Sequence, residues 1–393
     1  MDLRTFEALL SPAGQAALAD AAALQPAEDS FLACFNRLHK RHGADLARAA
    51  LETVLLRQRA GAKFSRAASM YFTREALEQA SGEGIAHHRA QRFRGLGRVG
   101  DLGCGIGGDT LALAERGEVV GVERDPLRLA MARQNLAAHG LGERVAFVES
   151  DLLSLPLPDV AALFFDPGRR AGGRRRRSVA EYEPPLDTVR RWLPRVPALA
   201  VKVAPGVSKP ELAGYDAEAE FLSDGGELKE CVLWFGPLRT AATRATLLPG
   251  GHTLTAAGPA PASEISPPGA YLYDPDPAVL RAGLVTVLAE RLGASQLDPE
   301  IAYLTSDTWT PTPFARAYRL EEALPFQLKR LRERLRSLGV GRLTVLKRGS
   351  ALDVNVLVRQ LRLRGPENRL LFLTRVAGRP YALIGNHPGE RGA

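Results

Sequence analysis

From Gly97 onward, short apolar runs alternate with longer amphipathic stretches, and this alternation constrains the fold more than any other feature of the chain. Strands that alternate with helices pack as a mainly parallel sheet with helices on both faces. The sequence therefore predicts an α/β fold. Strands are predicted at Arg98–Leu102, Val119–Glu123, Val145–Glu149, Ala161–Asp166, Ala198–Ala204, Ala219–Ser223 and Lys229–Phe235, and helices at Asp109–Arg116, Pro126–Ala138 and Leu186–Leu193.

A glycine-rich turn joins the first predicted strand to the first helix, in the run Val99-Gly-Asp-Leu-Gly-Cys-Gly-Ile-Gly-Gly-Asp109. Gly103, Gly105 and Gly107 allow the backbone to turn sharply and to lie directly against a ligand. The run also satisfies the GxGxxG dinucleotide pattern. That pattern alone does not separate a nicotinamide-binding protein from one that binds S-adenosylmethionine.

An acidic residue lies at the end of each of the first three strands, where open α/β sheets bind their ligands. Asp101 would repel a pyrophosphate but attract the ammonium and sulfonium groups of S-adenosylmethionine. The Glu123 carboxylate can accept hydrogen bonds from two ribose hydroxyls, as in nicotinamide-binding proteins. Asp151 can accept one from an adenine amino group. We therefore expect S-adenosylmethionine as the cofactor.

In these residues the chain resembles the class I S-adenosylmethionine-dependent methyltransferases, over about Phe72 to Phe235. The resemblance implies a Rossmann-like sheet of seven strands, six of them parallel and the last antiparallel. The run Lys63–His88 is similar to the entry segment of the trimethylguanosine synthases, which helps to close over cofactor and substrate. That similarity implies that Phe72 and Thr73 lie near the cofactor, with helix packing as the alternative role.

The fourth strand leads into Asp166-Pro-Gly-Arg169, which we expect to be the catalytic edge. Methyltransferases that act on exocyclic base nitrogens usually carry Asn or Asp, two prolines and an aromatic residue at this place. Asp166 and Pro167 match that pattern, and Asp166 is expected to orient the acceptor. Gly168 and Arg169 depart from it, so base stacking would pass to the Arg169 guanidinium or to Tyr182. Lys202, at the end of the fifth strand, is interpreted as a surface lysine, with a place at this edge as the alternative.

Six arginines lie between positions 169 and 177, around two glycines. The loop emerges from the carboxyl edge of the predicted sheet, beside the expected methyl donor. We therefore expect it to contact phosphate groups of a substrate, although a charge run of this kind also suits a solvated surface. The candidate substrate-binding residues are Arg174, Arg175, Arg176, Arg177 and Tyr182.

The catalytic domain, predicted at 71–248, is flanked by two regions of different character. Residues 1–70 have apolar residues at helical spacing and predict a helical N-terminal segment. Residues 249–270 are rich in Pro, Gly, Ala, Ser and Thr and predict a linker. Residues 271–393 predict a smaller second α/β domain.

In that second domain the runs Val345–Ser350, Leu357–Leu361 and Leu371–Arg375 resemble a THUMP-like domain, which implies a role in presenting RNA. A scaffold or dimerisation domain is the alternative. Its predicted elements are helices at Ala278–Leu292, Pro325–Leu338 and Ala351–Leu361 and strands near Ile301–Thr305, Leu343–Lys347, Leu370–Val376 and Tyr381–Ile384.

The net charge of +8, carried mostly by arginine, favours a polyanionic partner such as RNA, although codon bias explains the composition equally well. Cys34, Cys104 and Cys231 lack metal-ligand spacing and fit a reducing compartment, so we expect a cytoplasmic protein without a metal. No apolar run is long enough to span a membrane, and the N-terminus lacks a secretory pattern.

The sequence thus predicts a methyltransferase that uses S-adenosylmethionine and acts on RNA. Two alternatives stay open. One is a non-catalytic RNA-binding protein that retains the methyltransferase fold, and the other is an NAD-dependent oxidoreductase. The sequence does not specify the RNA, the base, the methylated atom or the oligomeric state.

Overall fold

The computed structural model describes residues 1–386 apart from 155, 169, 172, 173, 176, 177, 257, 259, 260 and 263, and gives only the backbone of 170, 171, 174 and 175. The chain divides into two compact units. The first comprises residues 1–218 and 230–240, and the second comprises residues 219–229 and 241–393.

The first unit begins with the helices α1 (Leu3–Leu10), α2 (Pro12–Ala23), α3 (Phe31–His42) and α4 (Ala44–Ala60). Side-chain caps fix two of the helix starts. Asp2 accepts a hydrogen bond from the Thr5 amide, and Ser11 accepts one from the Gly14 amide. These bonds satisfy amides that the first helical turn leaves free. The predicted helical N-terminal segment is confirmed.

The remaining elements up to residue 235 include the predicted strands and helices, together with α5, α6, α10, β5 and β6, which the sequence did not predict. They are α5 (Arg74–Gln79), α6 (Glu83–Ala90), β1 (Val99–Leu102), α7 (Gly108–Ala114), β2 (Val119–Glu123), α8 (Pro126–Ala138), β3 (Val145–Glu149), β4 (Ala162–Phe165), β5 (Arg170–Ala171), β6 (Arg174–Arg175), α9 (Val189–Trp192), β7 (Leu199–Val203), α10 (Lys209–Leu212), β8 (Ala217–Asp224) and β9 (Glu227–Phe235).

Strands of the first unit lie in the order β9-β7-β4-β1-β2-β3. Neighbours from β7 to β3 are parallel, and β9 runs antiparallel to β7. Every residue of β1, β2, β4 and β7 is buried, as expected of parallel strands covered on both faces. The chain crosses from β1 to β2 on one side and from β3 to β4 on the other, so the carboxyl end of β1 adjoins the crevice where such sheets bind ligands.

The second unit contains two groups of strands. In one, β10 (Thr243–Leu248) pairs in parallel with β8 and antiparallel with β11 (His252–Ala256). The other is a seven-stranded sheet in the order β13-β14-β12-β15-β18-β17-β16. Its elements and the associated helices are β12 (Tyr271–Pro275), α11 (Pro277–Ala282), α12 (Val285–Leu292), β13 (Ser295–Asp298), β14 (Ile301–Ser306), β15 (Ala315–Pro325), α13 (Leu328–Ser337), β16 (Val340–Lys347), α14 (Val354–Leu361), β17 (Glu367–Val376) and β18 (Arg379–Asn386).

Three features of the second unit differ from the sequence predictions. The predicted helix Ala278–Leu292 is two helices, because Gly283 adopts a left-handed conformation (φ 73°) that ends α11. Strand β11 lies inside the predicted linker 249–270, since alternation around the buried Leu254 suits a strand. The second unit also contains β10, β12, β13 and β15, which the sequence did not predict. None of the described helices is long and apolar enough to cross a membrane.

Candidate active site

A cavity of about 180 Å³ opens at the carboxyl ends of β1 to β4 in the first unit. The glycine-rich turn forms one side of it. Asp101, Glu123, Asp151 and Asp166 all line it, so the structure brings together the four acids that the sequence placed at strand ends. Helix α5 contributes Ala76, Gln79 and Ala80.

At two positions of the turn, the backbone conformation and the lack of room for a Cβ both require glycine. Gly103 (φ 85°) and Gly107 (φ 84°) are left-handed, a conformation that costs L-residues free energy. A Cβ on Gly103 would lie 2.9 Å from the Asp166 carbonyl oxygen, and one on Gly107 would lie 2.8 Å from Leu136 Cδ2. Gly105 is also left-handed (φ 55°), but a Cβ there would meet open space. The turn is thus packed tightly against the strand that carries Asp166.

Asp101 is the most deeply buried acid of the cavity, at 1% exposure. Its Oδ2 accepts a hydrogen bond from the Thr110 hydroxyl (2.6 Å), whereas its Oδ1 has no hydrogen-bond partner among the described residues. Burial, followed by the charge of Asp109, raises the pKa of Asp101 to about 8. A buried carboxylate oxygen without a donor fits a cationic ligand group, and the ammonium of S-adenosylmethionine supplies one.

Glu123 and Asp151 are held by backbone amides at the rim of the cavity. Glu123 Oε2 accepts a hydrogen bond from the Gly105 amide (2.9 Å), and its Oε1 accepts one from Arg124 (2.9 Å) and one from Asp125 (3.0 Å). Asp151 Oδ1 accepts a hydrogen bond from the Leu153 amide (2.7 Å). Both carboxylates therefore have fixed orientations beside the turn.

Asp166 faces the cavity from the end of β4, next to Pro167. Its Oδ2 accepts a hydrogen bond from Lys202 Nζ at 2.7 Å. Lys202 is buried, with 3% of its side chain exposed, so its interpretation as a surface lysine is wrong and the alternative place at this edge is the observed one. The Asp166 carboxylate is bound to a side chain of the neighbouring strand.

Beneath the cavity, the buried Arg89 makes ion pairs with Asp109 and Glu230. Burial alone would raise the pKa of Asp109, but the charges of Arg89 and Lys202 outweigh it and lower that pKa. Asp109 of the cavity thus belongs to a network of acidic and basic groups, whereas the buried Oδ1 of Asp101 has no hydrogen-bond partner among the described residues.

Three predicted positions differ from the structure. Phe72 packs against Phe64, and Thr73 caps α5 by accepting a hydrogen bond from the Ala76 amide, so the entry segment reaches the cavity through α5 rather than through these two residues. Tyr182 is 1% exposed, and its hydroxyl accepts a hydrogen bond from the Ala204 amide (3.1 Å), which leaves no ring face for stacking on a base.

The arginine-rich loop is described only in part. The backbone of Arg170–Ala171 pairs antiparallel with that of Arg174–Arg175, and Gly168 forms a bridge with Glu183. Arg169, Arg176 and Arg177, and the side chains of Arg174 and Arg175, lie outside the described residues.

The sequence analysis missed Asn135, which supports the turn from α8. Its Nδ2 donates hydrogen bonds to the carbonyls of Ile106 (2.9 Å) and Tyr71 (3.0 Å), and its Oδ1 accepts one from the Tyr71 amide (2.7 Å). A polar residue on the buried face of a helix is the signal that could have identified it. Lys63 was missed as a support as well. Its Nζ donates to the carbonyls of Leu77 (2.7 Å) and Ala80 (2.8 Å) at the end of α5.

The fold and this constellation of acids define a methyltransferase of the class I type, and comparison with known proteins agrees. A family profile described as a methyltransferase domain matches residues 99–165, and one described as THUMP domain-like matches residues 315–387. Residues 2–60 match a domain of unknown function.

A full-length relative places the chain more closely. An uncharacterized S-adenosylmethionine-dependent methyltransferase of Mycobacterium tuberculosis is 39% identical over 338 residues, which span 83% of this chain and 92% of that protein. The chain belongs to this family of S-adenosylmethionine-dependent methyltransferases, and S-adenosylmethionine is its cofactor. The NAD-dependent and non-catalytic alternatives are therefore not favoured.

A solved structure shares the fold along nearly the whole chain. The crystal structure of a protein assigned as a methyltransferase from Porphyromonas gingivalis W83 superposes with a TM-score of 0.76 at 22% identity and covers 95% of this chain and 98% of that one. Shorter matches include a demethylmenaquinone methyltransferase of Thermus thermophilus (42% identity, 24% of this chain, 42% of that protein) and a 23S rRNA (uracil(1939)-C(5))-methyltransferase of Shewanella amazonensis (44%, 18% and 17%).

Proposed function

We propose that the protein transfers a methyl group from S-adenosylmethionine to RNA. The observation that carries this proposal is the charge of residues 328–364 in the second unit. This segment contains eleven Lys and Arg against two Asp and Glu, a net charge of +9, which exceeds the +8 of the entire chain. Arginine suits phosphate because its planar guanidinium donates two parallel hydrogen bonds.

The fold of this segment buries four of its leucines, Leu331, Leu335, Leu357 and Leu361, and leaves many of its basic side chains at the surface. Helix α13 buries Leu331 and Leu335 and exposes Lys329 and Arg330. Arg336, Arg362 and Arg364 line a shallow cavity of about 460 Å³ beside β16. The segment lies within the THUMP domain-like region, and the short match to a 23S rRNA methyltransferase points to the same substrate class.

We assign the roles in the cavity as follows. Asp101 and the turn glycines Gly103, Gly105 and Gly107 would hold the methionine end of the cofactor. Glu123 would accept hydrogen bonds from the ribose hydroxyls, and Asp151 one from the adenine amino group.

The cofactor supplies a methyl group already activated by the positive charge on sulfur. The protein's contribution is proximity and alignment, which are worth up to about 7–11 kcal/mol. Asp166, with Pro167, would orient the acceptor, and the loop Arg169–Arg177 would contact its phosphates. The similarity of the Lys63–His88 segment to the trimethylguanosine synthases remains a prediction, as does a cytoplasmic location, which the three free cysteines favour.

The decisive experiment measures transfer of a labelled methyl group from S-adenosylmethionine into total RNA from a strain that lacks the gene. We expect incorporation that RNase removes and that RNA from the wild-type strain does not accept. Incorporation into protein or small molecules instead would overturn RNA as the substrate.

The binding surface is tested separately with the variant Arg336→Ser/Arg362→Ser/Arg364→Ser. We expect the slope of log affinity against log salt to fall by about 0.7 for each lost phosphate contact on single-stranded RNA. A matched control removes three exposed arginines of the first unit, in Arg4→Ser/Arg37→Ser/Arg116→Ser. Equal changes in the two variants would mean that overall charge, rather than this surface, governs binding.

A further inference from the structure

Lys202 lies near the carboxyl end of β7, and only 3% of its side chain is exposed. Its Nζ is 2.7 Å from Asp166 Oδ2 and 3.5 Å from the carbonyl oxygen of Gln79, the last residue of α5. The two strands that carry the pair, β4 and β7, are adjacent and parallel, so the side chains leave the sheet at the same edge. Lys202 therefore contacts two residues that line the cavity, Asp166 and Gln79.

Burying this ammonium is costly. An isolated charge loses several kcal/mol of solvation when it leaves water, and a buried ion pair recovers this only when its geometry is good. A hydrophobic residue in the same place would have avoided that cost. Asp166, in contrast, is only partly enclosed, with 23% of its side chain exposed toward the cavity. Within the pair, Lys202 is shielded from solvent, whereas Asp166 stays accessible.

We propose that Lys202 is a positioning residue that fixes Asp166 for the acceptor, and that the pair selects an acceptor atom carrying N–H or O–H. This inference rests on the proposed methylation of RNA. Because Lys202 occupies Oδ2, the lone pairs of Asp166 Oδ1 are the ones directed to the acceptor. A carboxylate oxygen accepts hydrogen bonds but donates none, so its partner must be a donor.

The electron and proton balance of transfer agrees with this assignment. The lone pair of the acceptor nitrogen or oxygen forms the new bond to the methyl carbon, and the electron pair of the carbon–sulfur bond stays on sulfur. The acceptor thereby gains a positive charge, which it loses as a proton. Asp166 Oδ1 receives that proton and passes it to water, so methylated RNA, S-adenosylhomocysteine and one proton are the products.

A pyrimidine carbon is a less suitable acceptor for this site. Alkylation at such a carbon needs prior activation of the ring, which enzymes achieve by covalent addition of a nucleophile such as a thiolate. All three cysteines of the chain are buried. Cys104, which lines the cavity, has a pKa raised by burial and by the charge of Asp101, so its thiol is a poor nucleophile. Methylation at nitrogen or oxygen is therefore the chemistry that these residues support.

The test compares five proteins, namely the wild type, Lys202→Met, Lys202→Arg, Asp166→Asn and the double variant Asp166→Asn/Lys202→Met. We expect Lys202→Met to lower the single-turnover rate by roughly 100-fold, as misplacement of a reacting group does. Lys202→Arg should restore most of that rate, since it keeps a cationic donor. If Lys202 acts through Asp166, the double variant should be no slower than Asp166→Asn alone.

Thermal melting, together with calorimetry using S-adenosylhomocysteine, separates a positioning role of Lys202 from a role in folding. Each single charge removal leaves one charge unpaired, so we expect the double variant to melt above Lys202→Met, while all variants bind S-adenosylhomocysteine as the wild type does. Lys209→Met, at an exposed lysine on α10, is the matched control and should match the wild type in every assay. A Lys202→Met protein with an undiminished rate, or one whose rate falls only in parallel with cofactor affinity, would overturn the role.

Mass spectrometry of the nucleosides in methylated RNA tests the acceptor class. We expect a methyl group on a nitrogen or oxygen that carries a hydrogen before transfer, such as an exocyclic amine or a ribose hydroxyl. A methyl group on carbon, or on a ring nitrogen that carries no hydrogen, would refute the selection argument. Transfer to an acceptor other than RNA would reject the RNA proposal instead, and the same variants would then be compared on that acceptor.

Discussion

If Asp101 holds the ammonium of the cofactor as we propose, its raised pKa makes cofactor binding sensitive to pH. With a pKa of about 8, roughly one site in eleven holds the carboxylate form at pH 7 in the ligand-free protein. The positively charged ammonium of S-adenosylhomocysteine binds the carboxylate in preference to the protonated acid. Binding at pH 7 must therefore release about 0.9 proton and is weakened by ~1.4 kcal/mol relative to binding well above the pKa.

We expect the affinity for S-adenosylhomocysteine to rise about tenfold per pH unit between pH 6 and 7.5 and to level off above pH 8. Isothermal titration calorimetry measures the affinity directly, and repeating it in buffers of different ionisation enthalpy counts the released protons. Asp101→Asn is the control. It cannot ionise, so its weaker binding should show little dependence on pH and no proton release.

The same shift predicts the pH dependence of stability in the ligand-free protein. The pKa of Asp101 in the folded state lies above its ordinary value of 3.8, so the folded chain holds a proton that the unfolded chain releases. The contribution of this proton to the free energy of unfolding is complete below about pH 4 and is lost as pH rises toward 8. The free energy of unfolding should thus fall over this window in the wild type more than in Asp101→Asn.

Wild-type affinity for S-adenosylhomocysteine that stays constant from pH 6 to 8, without proton release, would refute the reasoning.

Three further substitutions probe the site. Gly103→Ala should lower the free energy of unfolding, measured with urea, more than Gly105→Ala does. Both variants incur about 1–2 kcal/mol for a left-handed residue, but only the Cβ at position 103 meets the Asp166 carbonyl. Equal losses would mean that the turn can relax. Glu123→Ala should weaken S-adenosylhomocysteine binding by about 1.5–3 kcal/mol for each ribose hydrogen bond lost, measured by calorimetry, and an unchanged affinity would remove Glu123 from the binding set. Tyr182→Phe should lower the free energy of unfolding by about 1–3 kcal/mol, because it leaves the buried Ala204 amide unsatisfied. Weaker RNA binding without that loss would support the stacking role instead.

The first unit could be predicted closely because its signals are local. The strands β1 to β4 and β7 are predominantly apolar, as expected of strands in a parallel sheet, and the structure places their ends within one residue of the prediction. The four acids of the cavity follow from the same logic, since each lies at or just beyond a strand end. The second unit was harder because β15 alternates between exposed and buried residues, such as Arg319 and Leu324, while arginines and glutamates weaken its apolar pattern.

Contacts between distant parts of the chain could not be predicted from the pattern. Lysine usually lies at the protein surface, and only the order of the strands in the sheet brings Lys202 beside Asp166. Tyr182 seemed to belong to an open loop, but the bridge between Gly168 and Glu183 returns the chain to the sheet and directs the ring into the core. Both errors concern contacts between residues that are distant in the chain, and neither composition nor spacing predicts such contacts.

The bridge between Gly168 and Glu183 has a consequence for how this enzyme can diversify. Two backbone hydrogen bonds, from the Gly168 amide to the Glu183 carbonyl (2.9 Å) and from the Glu183 amide to the Gly168 carbonyl (3.0 Å), join the two ends of the arginine-rich insertion. The entropic cost of closing a loop grows only slowly with its length. Such an insertion can therefore lengthen, shorten or change its charge during evolution while Asp166, just outside the junction, keeps its place. If the loop contacts the substrate as we propose, changes in its length or charge can alter substrate recognition while the position of Asp166 is retained.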